Sequence, residues 1–167
     1  MKNTTLTVWL LLTFNFIYGQ NVIHETEVLV YGATPSGIMA AITVKKAGHS
    51  VILVEQSRWV GGILGAGLKP VQDMPNYEAV GGTTRKLMLQ LGVRSDDDSL
   101  NIEKVRQLIR DKISPRYVRE DFLKLLNDYN VPVIYDHRIS RTVKVGCEVK
   151  EAFFDLAPFD VNGCPVP

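Results

Sequence analysis

Val28-Leu29-Val30-Tyr31-Gly32-Ala33-Thr34-Pro35-Ser36-Gly37 reads as a buried strand that breaks into a tight turn bounded by glycines. Residues 38–47 follow with a helical pattern. Ser50 to Val54 reads as a second buried strand, and it ends on Glu55. The result is one strand–turn–helix–strand unit with an acid at its exit. Such a unit sets backbone N–H groups and the positive end of a helix beneath a pyrophosphate, and brings the acid to a ribose hydroxyl.

Gly32 and Gly37 are the first and last glycines of a G-x-G-x-x-G turn, but Thr34 stands where the middle glycine lets backbone approach the pyrophosphate closely. Thr34 suits a helix N-cap, with Pro35 as the first helical residue and Ser36 behind it. Glu55 lies 23 positions after Gly32, which matches the spacing of roughly 20 for a ribose-binding acid. An acid there disfavours a 2′-phosphate, so FAD or NAD is expected over NADP. The competing structural readings are an ordinary strand-to-helix turn and a surface glutamate at a strand end.

Beyond this unit, residues 56–76 read as a loop whose Gly61, Gly62, Gly65 and Gly67 imply close backbone approach. A helix is expected from Gly81-Gly82-Thr83 to about Leu91, stopped by Gly92. A second, capped by Ser99, covers residues 100–112. A third begins at Ser114-Pro115 and carries Val118, Phe122, Leu125, Leu126 and Tyr129 at helical spacing. Residues 131–135 read as a third buried strand. Residues 139–145 and 148–155 read as a hairpin about Gly146, and residues 157–167 as loop.

The chain has 167 residues, 46% hydrophobic, so it can bury a core and is bounded to one domain or part of one. Its formal net charge is +1 and its cations are dispersed, which gives no footprint for nucleic acid. Residues 1–19 have the pattern of a secretory signal peptide: Lys2, an apolar run from Leu6 to Ile17, then Tyr18-Gly19. That run is short of the roughly 20 residues of a membrane span. Export to the periplasm or the exterior is therefore expected, with no stable membrane insertion after cleavage; an uncleaved anchor is the alternative. Cys147 and Cys164 would then be free to pair or to remain thiols. No Cys/His spacing suggests a metal site.

The glycine doublet in Arg58-Trp59-Val60-Gly61-Gly62 distinguishes this chain from a plain nicotinamide-binding unit. Four segments, E-V-L-V-Y-G-A-T-P-S-G-I-M-A-A (27–41), V-I-L-V-E (51–55), V-G-G-I-L-G-A-G-L (60–68) and V-P-V-I-Y-D-H-R-I (131–139), resemble the FAD-dependent oxidoreductase family with a glutathione-reductase-type flavin domain. The nearest resemblance is to the branch that includes the flavin subunit of heterodisulfide reductase. The resemblance implies an α/β Rossmann-like FAD/NAD(P)-binding domain with a parallel sheet and a C-terminal β-hairpin. It implies that Gly32, Thr34, Pro35, Ser36 and Gly37 frame the pyrophosphate turn, that Glu55 binds the adenosine ribose, that Gly61 and Gly62 lie along the cofactor, and that Ile139 contacts adenine through its backbone. The expected cofactor is FAD and the expected activity is hydride or electron transfer between a small-molecule substrate and flavin. Catalytic residues, substrate and oligomeric state are not readable.

The family's later Gly-Asp segment and the branch's cysteine motifs do not occur in this sequence. The expected organisation is therefore a leader (1–19), the N-terminal part of the flavin domain (20–145) and the start of a β-rich substrate region (146–167), which alone would be inactive. Two alternatives stand beside this: an NAD-binding reductase of the extended short-chain type, whose outer glycines are six rather than five positions apart, and a non-catalytic exported domain with a degenerate dinucleotide site.

Overall fold

The structure, a computed structural model, describes residues 22–67, 81–84, 87, 91–92 and 114–157. Its elements run β1 (Val28–Tyr31), α1 (Pro35–Lys46), β2 (Val51–Val54), α2 (Gly62–Ala66), α3 (Pro115–Asp128), β3 (Val133–Ile134), β4 (His137–Val145) and β5 (Glu148–Leu156). The first three strands make a parallel sheet in the order β1-β2-β3, and β4 and β5 make an antiparallel hairpin. The expected α/β Rossmann-like architecture is present.

Helix α1 starts where local chemistry says it must. Thr34 is extended (φ −68°, ψ 165°) and caps the helix with its hydroxyl, Pro35 occupies the first helical position, and Lys45 and Lys46 complement the dipole in the last turn. The helix therefore begins three residues earlier than the apolar pattern alone indicates. It buries Ile38, Ala41 and Ile42 against the sheet. Strand β2 lies in the middle, in register Val28↔Val51 to Tyr31↔Val54 with β1 and Leu53↔Val133 with β3.

Two expectations about the strands are corrected. Strand β1 is not buried on both faces: Val28 and Val30 turn inward while Leu29 and Tyr31 are exposed. The helices cover one side of β1, and among the described residues little covers the other. The third strand is two residues long rather than five: Val133 and Ile134 pair with Leu53 and Val54, where β2 ends, and Pro132 before them has no N–H to give a ladder.

Helix α3 closes the core from the same side as α1. Val118, Phe122 and Leu126 are buried and pack with Ile38, Ile42, Leu53 and Val60. Fully burying a side chain of this size is worth about 1.5–3 kcal/mol, so this cluster is the main source of cohesion. Residues 56–76 were expected to be loop throughout, but α2 forms within them. Where a helix is expected from Gly81 to about Leu91, Gly82 to Thr84 and Leu87 are helical, the Leu91 amide bonds the Leu87 carbonyl at 2.9 Å, and Gly92 ends the turn at φ 70°. The expected helix over 100–112 lies outside the described residues.

The hairpin forms as expected, with β-bulges between Ile139 and Arg141 and between Val143 and Lys144. Most of its side chains are exposed. The expected division at 145/146 falls at its turn.

Candidate functional site

The carboxyl ends of β1 and β2 are where the glycine turn and the acid meet. Gly32 takes φ 99° and its amide bonds the Val54 carbonyl at 2.7 Å, which ties the turn to β2. Only glycine fits at position 37, because a Cβ there would lie 2.0 Å from the Gly32 carbonyl oxygen. The Thr34 hydroxyl oxygen accepts the Gly37 amide at 3.2 Å and contacts the Ser36 hydroxyl at 3.0 Å. Thr34 thus takes up one of the amides at the helix mouth. The Thr34 and Ser36 amides have no acceptor among the described residues.

Glu55 is the one buried charged side chain among the described residues, 8% exposed. One carboxylate oxygen accepts the Ala33 amide at 2.5 Å, and the other accepts the Ser57 amide at 2.8 Å. The acid at the end of β2 is thereby clasped to the turn that ends β1. Its backbone extends the knot: the Glu55 amide donates to Ile134 at 2.8 Å, and its carbonyl accepts from His137 at 3.1 Å. Tyr135 stands beside it, and burial followed by the Glu55 charge raises its phenol above the ordinary value. Arg58 Nε donates to the Asp136 carboxylate at 3.2 Å.

Gly61 and Gly62 come to the same place. The Gly61 amide donates to the Ala33 carbonyl at 2.7 Å, and a Cβ on Gly62 would sit 3.3 Å from the Thr34 methyl. Both take positive φ, 92° and 50°. Each of these glycines has a protein neighbour as its immediate steric reason, since a Cβ on Gly61 would meet the Phe122 ring at 2.8 Å. Ile139 stands apart from the turn, and its amide donates to the Tyr31 hydroxyl at 3.3 Å.

The turn, Glu55 and the glycine doublet are therefore brought together, with Thr34 and Ser36 presenting free amides. These are features a dinucleotide phosphate needs: N–H groups at a helix mouth with no acceptor among the described residues, and glycine backbone beside them. The residues fit the cofactor that the sequence implies.

Other residues singled out from the sequence serve elsewhere. Trp59 is half-exposed and lies 4.7 Å from the Arg119 guanidinium. His49 is exposed and pairs with Glu27 at 2.9 Å, at the opposite end of the sheet. Cys147 is exposed in the hairpin turn. Lys69, Arg85, Cys164 and the Asp96–Asp98 run lie outside the described residues. Sequence reasoning missed the Ala33 and Ser57 amides as partners of Glu55, and missed Arg119. The available signal for Arg119 was a charge set inside the apolar stripe of α3, between Val118 and Phe122.

The FAD dependent oxidoreductase family matches residues 27–155. No curated protein matches the chain. Among solved structures, Thermovibrio ammonificans THI4 is similar with TM-score 0.53 and 14% identity, over 99% of this chain and 62% of that one. Thioredoxin reductase from Streptococcus pyogenes MGAS5005 is similar with TM-score 0.41 and 16% identity, over 77% of this chain and 32% of that one. The 3-ketosteroid-delta4-(5alpha)-dehydrogenase from Rhodococcus jostii RHA1 is similar with TM-score 0.41 and 12% identity, over 77% and 41%. The chain thus spans 62% of the length of the THI4 protein, and at this identity the likeness is one of fold. The family pattern, in contrast, runs from Glu27 before β1 to Asp155 near the end of β5, so the chain belongs to the FAD dependent oxidoreductase family, and its cofactor is FAD.

Proposed function

We propose that residues 27–155 form the adenosine-pyrophosphate half of the flavin site in an exported oxidoreductase with a glutathione-reductase-type flavin domain, in the branch that includes the heterodisulfide reductase flavin subunit. One observation carries this reading: Glu55, buried at the end of β2, is bonded to the Ala33 amide inside the glycine turn. That contact sets the ribose-binding acid beside the helix mouth, as an extended dinucleotide requires.

In this reading Gly32 to Gly37 hold the pyrophosphate, with the Thr34 and Ser36 amides donating and the α1 dipole assisting. Each Glu55 oxygen has accepted one amide and keeps a second lone pair for a ribose hydroxyl. Gly61 and Gly62, seated against Phe122 and Thr34, lie along the cofactor with their backbone. The Ile139 amide is engaged by Tyr31, so an adenine contact there uses its carbonyl or displaces that hydroxyl. When bound, FAD supplies the redox chemistry, accepting or giving a hydride or electron pair with a small-molecule substrate. The segments that would complete the flavin and substrate sites are not among residues 27–155. The leader at 1–19 is proposed to direct export, and the region from 146 to open a β-rich substrate region.

The test is a titration of the purified chain with FAD, followed by flavin fluorescence and by equilibrium dialysis. Holding only the adenosine-pyrophosphate half of the site, the chain should bind FAD weakly, and Glu55→Ala should weaken that binding by at least tenfold. Equal affinity of the two proteins would remove the ribose role of Glu55, and no binding by either would refute the reading.

A further inference from the structure

The glycine-rich segment 61–67 is overlaid by α3 in a regular way. Pro115, Arg119 and Phe122, at i, i+4 and i+7, share one helix face. A Cβ placed on Gly67 would meet Pro115 at 3.6 Å, one on Gly65 would meet the Arg119 stem at 3.2 Å, and one on Gly61 would meet the Phe122 ring at 2.8 Å. Helix and segment therefore run in opposite directions with almost no gap between them. Arg119 adds polar attachment: its Nη1 donates to the Gly65 carbonyl at 2.5 Å, and its guanidinium lies over the Trp59 ring. On its other side the segment touches the turn, through the Gly61 amide on the Ala33 carbonyl and through Gly62 against Thr34.

We propose that Arg119 is a positioning residue for the cofactor turn, acting through α2: it holds the Gly65 carbonyl and Trp59, and so presses the Gly61-Gly62 doublet onto Ala33 and Thr34. This rests on the flavin-binding reading above. A residue 87 positions away from Gly32 in sequence thereby sets how open the helix mouth is to a phosphate. The contact is a charge-assisted hydrogen bond in a part-buried site, of the strong class.

Arg119→Met keeps the aliphatic stem against Gly65 but loses the donor and the cation. It should weaken FAD binding about tenfold, the loss expected if one such bond is uncoupled from the turn. Trp59 emission should shift as well; the chain has two tryptophans, and Trp9 lies in the leader, so the difference between variants reports Trp59. Arg119→Lys keeps a cationic donor without the planar fork, and its affinity should fall between the other two. A purely structural role would lower the urea midpoint and leave affinity, measured well below that midpoint, unchanged. Wild-type binding with equal affinity in Arg119→Met overturns the proposal while leaving the flavin reading intact. Absence of FAD binding by wild type overturns both. Should Arg119→Met fail to fold, the drop from wild type to Arg119→Lys carries the test, and no drop overturns it.

Discussion

Replacing Glu55 by Gln probes the clasp between β2 and the turn without changing its size. In the wild type each carboxylate oxygen accepts one backbone amide, from Ala33 at 2.5 Å and from Ser57 at 2.8 Å, in a site 8% exposed. Hydrogen bonds to a charged group contribute about 1.5–3 kcal/mol each. The amide side chain retains one acceptor, so one bond survives at the neutral value of about 0.5–1.5 kcal/mol. Its NH2 group then faces the other backbone N–H, donor against donor, and leaving a buried donor unsatisfied costs about 1–3 kcal/mol. Relief from burying a charge offsets part of this. The expected net loss is about 2–3 kcal/mol, or roughly 5–10 °C in Tm for a chain of this size. Urea unfolding followed by circular dichroism measures the loss, and hydrogen exchange identifies the amides: Ala33 or Ser57 should exchange faster, while amides inside α3 change only with global stability. A change below about 0.5 kcal/mol, the range of ordinary surface substitutions, with both amides still protected, would refute the clasp.

Gly37→Ala should be far more damaging than an ordinary helix substitution, because its Cβ falls 2.0 Å from the Gly32 carbonyl oxygen; FAD titration should show loss of binding, and a variant binding like wild type would contradict the turn geometry. At the other end of the sheet, Glu27 accepts from the Ser50 amide at 2.7 Å and pairs with His49, and these contacts hold its carboxyl down to about 2 from an ordinary 4.5. A carboxylate with a depressed folded-state pKa contributes stability that is present above the unfolded value and is lost as pH falls through the folded one. Stability should therefore decline between pH 4.5 and about 2, and Glu27→Gln should flatten that part of the profile in acid-titrated thermal unfolding.

The unit from Val28 to Glu55 was legible in the sequence because local forces dictate it. The apolar run, the glycine turn, the Thr34 cap and Pro35 specify strand, turn and helix from contacts within a few residues, and the Gly32-to-Glu55 spacing follows from the length of one crossover. The hairpin about Gly146 and the stripe on α3 were legible for the same reason. Tertiary structure decided what those segments meet. Glu55 can bond Ala33 only once β1 and β2 pair in register, so its burial and its amide partners were invisible in the chain. The glycines at 61, 62 and 65 read as close backbone approach, and α3 and the turn are what stand within contact of their missing Cβ positions; a missing Cβ in sequence says that something comes close and not what it is. The exposed face of β1 and the two-residue β3 depend likewise on which surfaces the helices reach and on where β2 ends beside β3; long-range packing, not local propensity, sets both.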